Sequence, residues 1–267
     1  MHGHDGPAGL RAVDIGGRRL AYRDAGEGGP VVVLEAGLDY GSDTWSRVQP
    51  AVAAFARVMS YDRAGLGASD PAPTPRSVGA MGDDLHALLD AAHIPGPYVL
   101  VAHSLGGLIA RLYAHRYPAE VAGIVLVASS HPDQWDRWAD GVPPETPGES
   151  VALAHMRRRP WNDPVHALPE GLDLPASRAQ LRETTTLGDR PLVVVTPGRE
   201  GEPSPDWPAS LNAHMARVNR ELQQELTRLS SNSAQVTAAQ SGHFIQTDEP
   251  AVVVAAIRRV IDELRHR

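Results

Sequence analysis

Val99-Leu100-Val101-Ala102-His103-Ser104-Leu105-Gly106-Gly107 is the stretch that decides the fold. An apolar run ends in a small residue, then His103, then Ser104, then a glycine pair that opens a second apolar stretch. A strand that turns sharply into a helix exposes a serine hydroxyl at its tip, and the crowded turn needs small residues on both sides. The pattern is G-x-S-x-G with Ala102 in the first small position, a departure of one methyl group.

Strands and helices alternate outward from this turn. Residues 11–15 and 18–23 flank Gly16-Gly17, which signals a hairpin. Residues 31–34 are continuously apolar, as in a strand buried on both faces. A helix is predicted over 44–56, capped by Asp43 or Thr44, then a strand over 57–61 and a Gly/Pro-rich loop over 65–75. Residues 77–93 place Met81, Leu85, Leu88 and Leu89 at helical spacing. A strand over 98–101 leads into the serine turn. A helix over 105–117 follows, stopped by Pro118, and then a buried strand over 121–127. The rhythm breaks over 132–188, which holds many prolines, Trp135, Trp138, Trp161 and the basic run Arg157-Arg158-Arg159. It returns with a strand at 192–196, a long polar helix at 209–230, a weak strand at 234–239 and a last helix at 250–265.

Two hairpin strands plus six strands alternating with helices imply an α/β fold, a mostly parallel eight-stranded sheet flanked by helices. The expected division is a core of 10–131 and 189–267, with 132–188 inserted after the sixth strand as a small cap. Such a cap lies over the carboxyl ends of the strands, where these sheets place ligands.

The 267 residues, 42% of them hydrophobic, suit one large domain. The net charge of -7 argues against nucleic acid. No apolar run approaches the ~18 residues of a membrane span, and no leader pattern opens the chain, so the expectation is a cytoplasmic protein without a membrane partner. The absence of cysteine excludes disulfides, thiolate metal sites and cysteine nucleophiles. His2 and His4 fall in a loose tail that makes a poor metal site. No H-E-x-x-H, phosphate loop or post-strand G-x-G-x-x-G is present, so no metal and no cofactor are expected. Oligomeric state is not legible.

A serine hydroxyl needs a base to take its proton. Of 12 histidines, His243 lies in Gln240-Ser241-Gly242-His243-Phe244, after the last strand and before the last helix. That late position matches the Ser…acid…His order of nucleophile-elbow enzymes. His103 neighbours the serine but points to the other side of the turn, which suits structural support. His86, His93, His115, His155, His166 and His214 fall on helices or in the insertion, where surface or packing roles are the default. The oxyanion formed on attack needs donors. One is the backbone N–H of Leu105. The other is the N–H of Leu38, aimed inward where Gly37 lets the chain turn.

Over nearly its whole length the chain resembles α/β-hydrolase fold proteins. Besides the elbow, Tyr61-Asp62-Arg63-Ala64-Gly65-Leu66-Gly67-Ala68-Ser69 resembles the family's D-x-R/D-R-x-G-x-G-x-S segment, and Ser241-Gly242-His243 resembles its base loop. The resemblance implies a Ser/His/acid hydrolase with a cap after the sixth strand. Its usual acid positions are empty: Gly201 stands after the seventh strand and Ala128 after the sixth. Three explanations compete. Asp133, Glu200 or Glu202 supplies the acid through a shifted loop, Asp133 first among them. Or the triad is a dyad. Or a substitution at Ala128 has removed the acid. Asp133 also follows Pro132, where an acid in a first helical turn favours the helix dipole. Glu35 is expected to pair with Arg63, since a buried carboxylate needs a partner, and Asp62 to be structural. The tryptophans of the insertion line a pocket or pack the cap.

The leading expectation is a serine hydrolase that cleaves an apolar carboxylic ester or lactone, a small-molecule substrate, through an acyl-enzyme on Ser104. Amide, thioester and carbon–carbon cleavage use the same constellation. Acyl transfer, cyclisation or lyase chemistry on this fold is the second enzyme class, and a ligand-binding protein with a degraded triad is the third reading. Epoxide hydrolase and haloalkane dehalogenase relatives use a carboxylate nucleophile, so Ser104 argues against both.

Overall fold

The strands at 31–34, 98–102, 121–127 and 192–195 are apolar on both faces, and the alternation of their residues sorts them into two cores. Val31, Val33, Leu100, Ala102, Ile124, Leu126, Leu192 and Val194 share one buried cluster, and Val32, Leu34, Val99, Val101, Val125, Val127, Val193 and Val195 share the other. The structure, a computed structural model, describes residues 9–162, 168–199, 201 and 203–267. His2, His4, His166, Glu200 and Glu202 lie outside the described residues.

The strands are β1 (Leu10–Asp14), β2 (Arg19–Ala25), β3 (Val31–Glu35), β4 (Val58–Tyr61), β5 (Tyr98–His103), β6 (Val121–Val127), β7 (Leu192–Pro197) and β8 (Ser233–Ala238). They form one sheet in the order β1-β2-β4-β3-β5-β6-β7-β8. β1 pairs antiparallel with β2, and β2 with β4; all other pairs are parallel. Gly16 and Gly17, at φ 103° and 100°, turn the β1–β2 hairpin. Two successive positive φ values are what a tight hairpin demands and what glycine supplies.

The helices are α1 (Gln49–Ala53), α2 (Val78–Ala91), α3 (Gly106–Arg116), α4 (Gln134–Ala139), α5 (Val151–Arg158), α6 (Leu174–Leu181), α7 (Ala209–Leu226), α8 (Ile245–Asp248) and α9 (Pro250–Arg265). Leu85 and Leu88 of α2 and Ala110 and Tyr113 of α3 cover one face of the sheet. Val52 of α1 and Val253, Ile257, Val260 and Ile261 of α9 cover the other. The Ser77 hydroxyl caps α2, accepting from the Ala80 N–H at 3.2 Å. The helix expected over 44–56 is broken into a 3₁₀ turn (Ser42–Trp45) and the short α1. Pro50 cannot donate to the preceding turn and disfavours helix at its predecessor, so the helix restarts there.

The segment between β6 and β7 carries α4, α5 and α6, and among its described residues it adds no strand to the sheet. Its ties to the core include contacts from α4 and α6. Arg137 of α4 pairs with Glu221 (2.6 Å) and Glu225 (2.8 Å) of α7. Ser177 of α6 accepts from the Val78 N–H at 3.0 Å.

Candidate active site

Ser104 stands between β5 and α3 with φ 52°, in the left-handed region that non-glycine residues rarely occupy. That turn lifts its hydroxyl out of the strand and leaves the residue partly exposed. The glycines after it have no room for a side chain. A Cβ on Gly106 would lie 2.7 Å from the Ala36 and Glu35 carbonyl oxygens, and one on Gly107 would lie 1.8 Å from the Ser129 hydroxyl. The backbone of the β3 loop is thus seated directly on the first turn of α3.

His243 follows β8 on a loop held by its backbone. The Asp248 carboxylate accepts from the Ser241 hydroxyl and the Gly242 N–H, both at 3.2 Å. Glu249 accepts from the Gln240 N–H at 2.7 Å. The His243 carbonyl oxygen lies 3.0 Å from Nε2 of His103, the residue next to the nucleophile. Because a carbonyl only accepts, Nε2 of His103 carries the proton. The two imidazole rings are 4.6 Å apart. His103 therefore supports the base loop. Burial first, then the His243 and Arg63 charges, lowers its pKa to about 3, so it stays neutral. The His243 ring keeps an exposed edge, yet the protein packed around it removes enough water to hold its pKa below the ordinary value. No hydrogen bond joins Ser104 Oγ to the His243 ring. A tightening on substrate binding is the usual behaviour of such pairs.

Asp133, the first of the expected acids, is not beside this imidazole. Asp133 sits at the start of α4 with an exposed carboxylate 3.7 Å from His131 Nδ1. The beginning of a helix fixes it there, and it does not pair with His243. Among the described residues no carboxylate lies within 4 Å of the His243 ring nitrogens. Ala128 is buried at the end of β6 with φ 42°, its N–H donating to the Val195 carbonyl at 2.9 Å.

The side that carries Leu38 and Leu105 is built differently. The N–H groups of Leu38 and Leu105 find no protein acceptor among the described residues. For Leu105 that follows from its place at the start of α3. For Leu38 it follows from the orientation of one peptide. Gly37 presses on the elbow, since a Cβ there would lie 2.8 Å from His103 Nδ1 and 3.2 Å from Ser104 Cβ. The Gly37 carbonyl accepts from Arg63 Nη2 at 2.5 Å. The peptide is trans, so the Leu38 N–H points away from Arg63.

Arg63 is buried and spends all five of its N–H donors. Nη1 donates to Glu35 Oε1 (2.6 Å) and the Ala36 carbonyl (2.8 Å), Nη2 to the Gly37 carbonyl and Glu170 Oε1 (2.6 Å), and Nε to Glu170 Oε2 (2.8 Å). Glu35 is also bonded by the Tyr61 hydroxyl. The pairing of Glu35 with Arg63 agrees with expectation. Asp62 is structural, accepting from the Ser42 N–H (2.7 Å) and the Ala68 N–H (3.1 Å). Glu170 gave no signal in the sequence, because it lies 107 residues from Arg63 in an irregular segment. Of the tryptophans in the insertion, Trp135 packs with Leu38 against the cluster of Leu105, Leu108 and Leu172. Trp138 and Trp161 pack the insertion itself, donating to Asn219 (2.8 Å) and Asp136 (3.2 Å).

A family model described as alpha/beta hydrolase fold matches residues 29–153, which span β3, the Arg63 loop, the elbow and β6. Cfl2 from Burkholderia cenocepacia superposes with a TM-score of 0.70 at 20% identity, covering 97% of this chain and 99% of that one. The chain has the α/β-hydrolase fold. Among curated relatives of this α/β-hydrolase-fold protein, a haloalkane dehalogenase of Sphingobium indicum is 27% identical over 284 residues, covering 95% of each. A probable transporter, efuK, of Hormonema carpetanum is 29% identical over 295 residues; the match covers 94% of this chain and 42% of that protein. The chain thus spans less than half the length of that relative. Among the described residues of this α/β-hydrolase-fold protein, no helix is long and apolar enough to cross a membrane.

Proposed function

We propose that the protein is a serine hydrolase that cleaves a carboxylic ester or lactone with an apolar acyl part, through an acyl-enzyme on Ser104 with His243 as general base. One observation carries this reading. A serine held at positive φ lies between two unengaged backbone N–H groups, and the adjacent His103 is bonded to the loop that bears His243. In the first step Ser104 Oγ bonds to the acyl carbon while its proton passes to His243. The carbonyl oxygen becomes an oxyanion, received by the N–H groups of Leu38 and Leu105. The adduct collapses, the C–O bond to the leaving alcohol breaks, and that alcohol takes the proton from His243. Water then gives a proton to His243 and attacks the acyl carbon; the ester bond to Ser104 Oγ breaks, the acid leaves, and Oγ takes the proton back from His243. The lowered pKa of His243 keeps the imidazole neutral and able to accept at neutral pH. Apolar surface from the half-buried Trp135 and Leu38 favours an apolar acyl group. Proposed with this reading are the domain division and the role of 132–188 as a cap.

Haloalkane dehalogenation needs a carboxylate at the nucleophile position, and Ser104 occupies it here. A second reading, a binding protein that has lost its relay, is favoured by Ala128 and the unpaired His243 ring. A fluorophosphonate probe separates them. Labelling of wild type but not Ser104→Ala is the expected result. No labelling, with an apolar ester still bound, overturns the hydrolase reading.

A further inference from the structure

We propose that Glu170, in the segment between β6 and β7, is a positioning residue that works through Arg63 to set the orientation of the Leu38 N–H. The inference rests on the serine-hydrolase reading. The Gly37–Leu38 peptide has one fixed handle, its carbonyl, and Arg63 Nη2 holds it at 2.5 Å. A guanidinium is a rigid plane, so its own orientation must be set by other contacts. Glu170 sets it, gripping Nε at 2.8 Å and Nη2 at 2.6 Å in a two-point pair. The same carboxylate accepts from the Asp39 N–H at 2.8 Å, one residue beyond Leu38. The Leu38 peptide is therefore held from both sides, by the Gly37 carbonyl and by the Asp39 N–H, and both holds converge on Glu170.

The backbone carries a second, independent sign. Asp39 and Glu170, the two residues joined by that bond, are both non-glycine residues in the left-handed region, at φ 67° and 60°. Such strain persists only where surrounding contacts over-determine it, and it concentrates at functional sites. The Glu170 side chain is 1% exposed and the Arg63 side chain 3%, so solvent does not weaken the grip. A simple surface ion pair would explain neither the strain nor the use of every Arg63 donor. The consequence is that one of the two proposed oxyanion donors depends on a residue of the insertion. Departure of residues 168–172 from the core would release the Leu38 peptide while leaving Ser104 and His243 in place.

The test uses the full chain and three variants, Glu170→Gln, Glu170→Ala and Ser104→Ala, with 4-nitrophenyl butyrate as substrate. An alkyl trifluoromethyl ketone, to which Ser104 adds to give a bound oxyanion, is the inhibitor. Glu170→Ala is expected to lower kcat by about 10- to 100-fold, below the full loss of an oxyanion donor. KM should stay within about twofold, as expected when only an interaction of the transition state is lost. The inhibitor should weaken by the same factor as kcat. Glu170→Gln keeps an acceptor for Asp39 and should recover part of the loss. Full kcat and full inhibitor affinity in Glu170→Ala overturn the proposal. So does a loss that tracks only the folded fraction seen by thermal melting, a comparison that Glu170→Gln preserves if Glu170→Ala fails to fold. Turnover in wild type that is unchanged in Ser104→Ala overturns the parent reading instead.

Discussion

The two halves of the candidate site are built to opposite standards. On the oxyanion side a single loop is held by a buried arginine with every donor engaged, by Glu35 and Glu170, and by a helix start with no room for side chains. On the base side the loop is held through its backbone, and the His243 ring itself has no carboxylate partner among the described residues. Electrostatic stabilisation of an oxyanion depends on donors fixed beforehand. A general base depends on a partner that sets its tautomer and supports its charge. On the proposed serine-hydrolase reading, the described residues meet the first requirement in full and leave the second without a carboxylate.

Loss of the serine gives the largest effect. Ser104→Ala should abolish turnover down to the background level, a loss of up to about 10⁶-fold, the scale for removing a nucleophile from a complete unit. Residual turnover well above that would place the chemistry elsewhere. Next comes the base side. Ala128→Asp restores a carboxylate at the end of β6 and should raise kcat by as much as ~10⁴-fold, the penalty for an unoriented imidazole. A flat response would show that the loose half is sufficient as it stands. On the tight half, Gly37→Ala drives a methyl group to 2.8 Å from His103 Nδ1. Displacing the Leu38 donor should cost about 10²- to 10³-fold in kcat, read by the same assay.

The pH profile sharpens the contrast. His243 must be neutral to accept a proton, so kcat/KM should rise with pH, half-maximal below the ordinary histidine value near 6.5. Stability behaves similarly. His103 titrates at about 3 in the folded chain and near 6.5 when unfolded, so the unfolded state takes up its proton first as pH falls. Stability is full above pH 6.5 and declines toward about pH 3, by at most ~1.4 kcal/mol per unit for one histidine. Urea melts at successive pH values measure it. The smallest effect belongs to Asp133→Asn, which should leave kcat within about twofold, as for an exposed substitution away from the site. A large loss would return Asp133 to the relay.

The tight and loose halves also differ in how they read from sequence. The sheet, the hairpin, the elbow and the base loop are written in local patterns: alternation, glycine pairs, and a serine and a histidine at strand ends. The Glu35–Arg63 pair was legible because both lie on adjoining strand ends and a buried charge demands a partner. Glu170 was not, because the contact crosses 107 residues into a segment without periodicity. The helix over 44–56 read too long because a cap at Asp43 or Thr44 marks where a helix starts and not that Pro50 interrupts it. Asp133 read as an acid near the site because chain order gives proximity and not direction; α4 turns it toward His131.

Ala128 carries a consequence for descent. A methyl side chain holds a backbone shape, φ 42°, that aspartate adopts more readily than alanine does. Every alanine codon becomes an acidic one through a change of its middle base. A lineage selected for faster turnover can therefore gain the missing carboxylate in one mutation, at a place whose main chain is already bent to receive it.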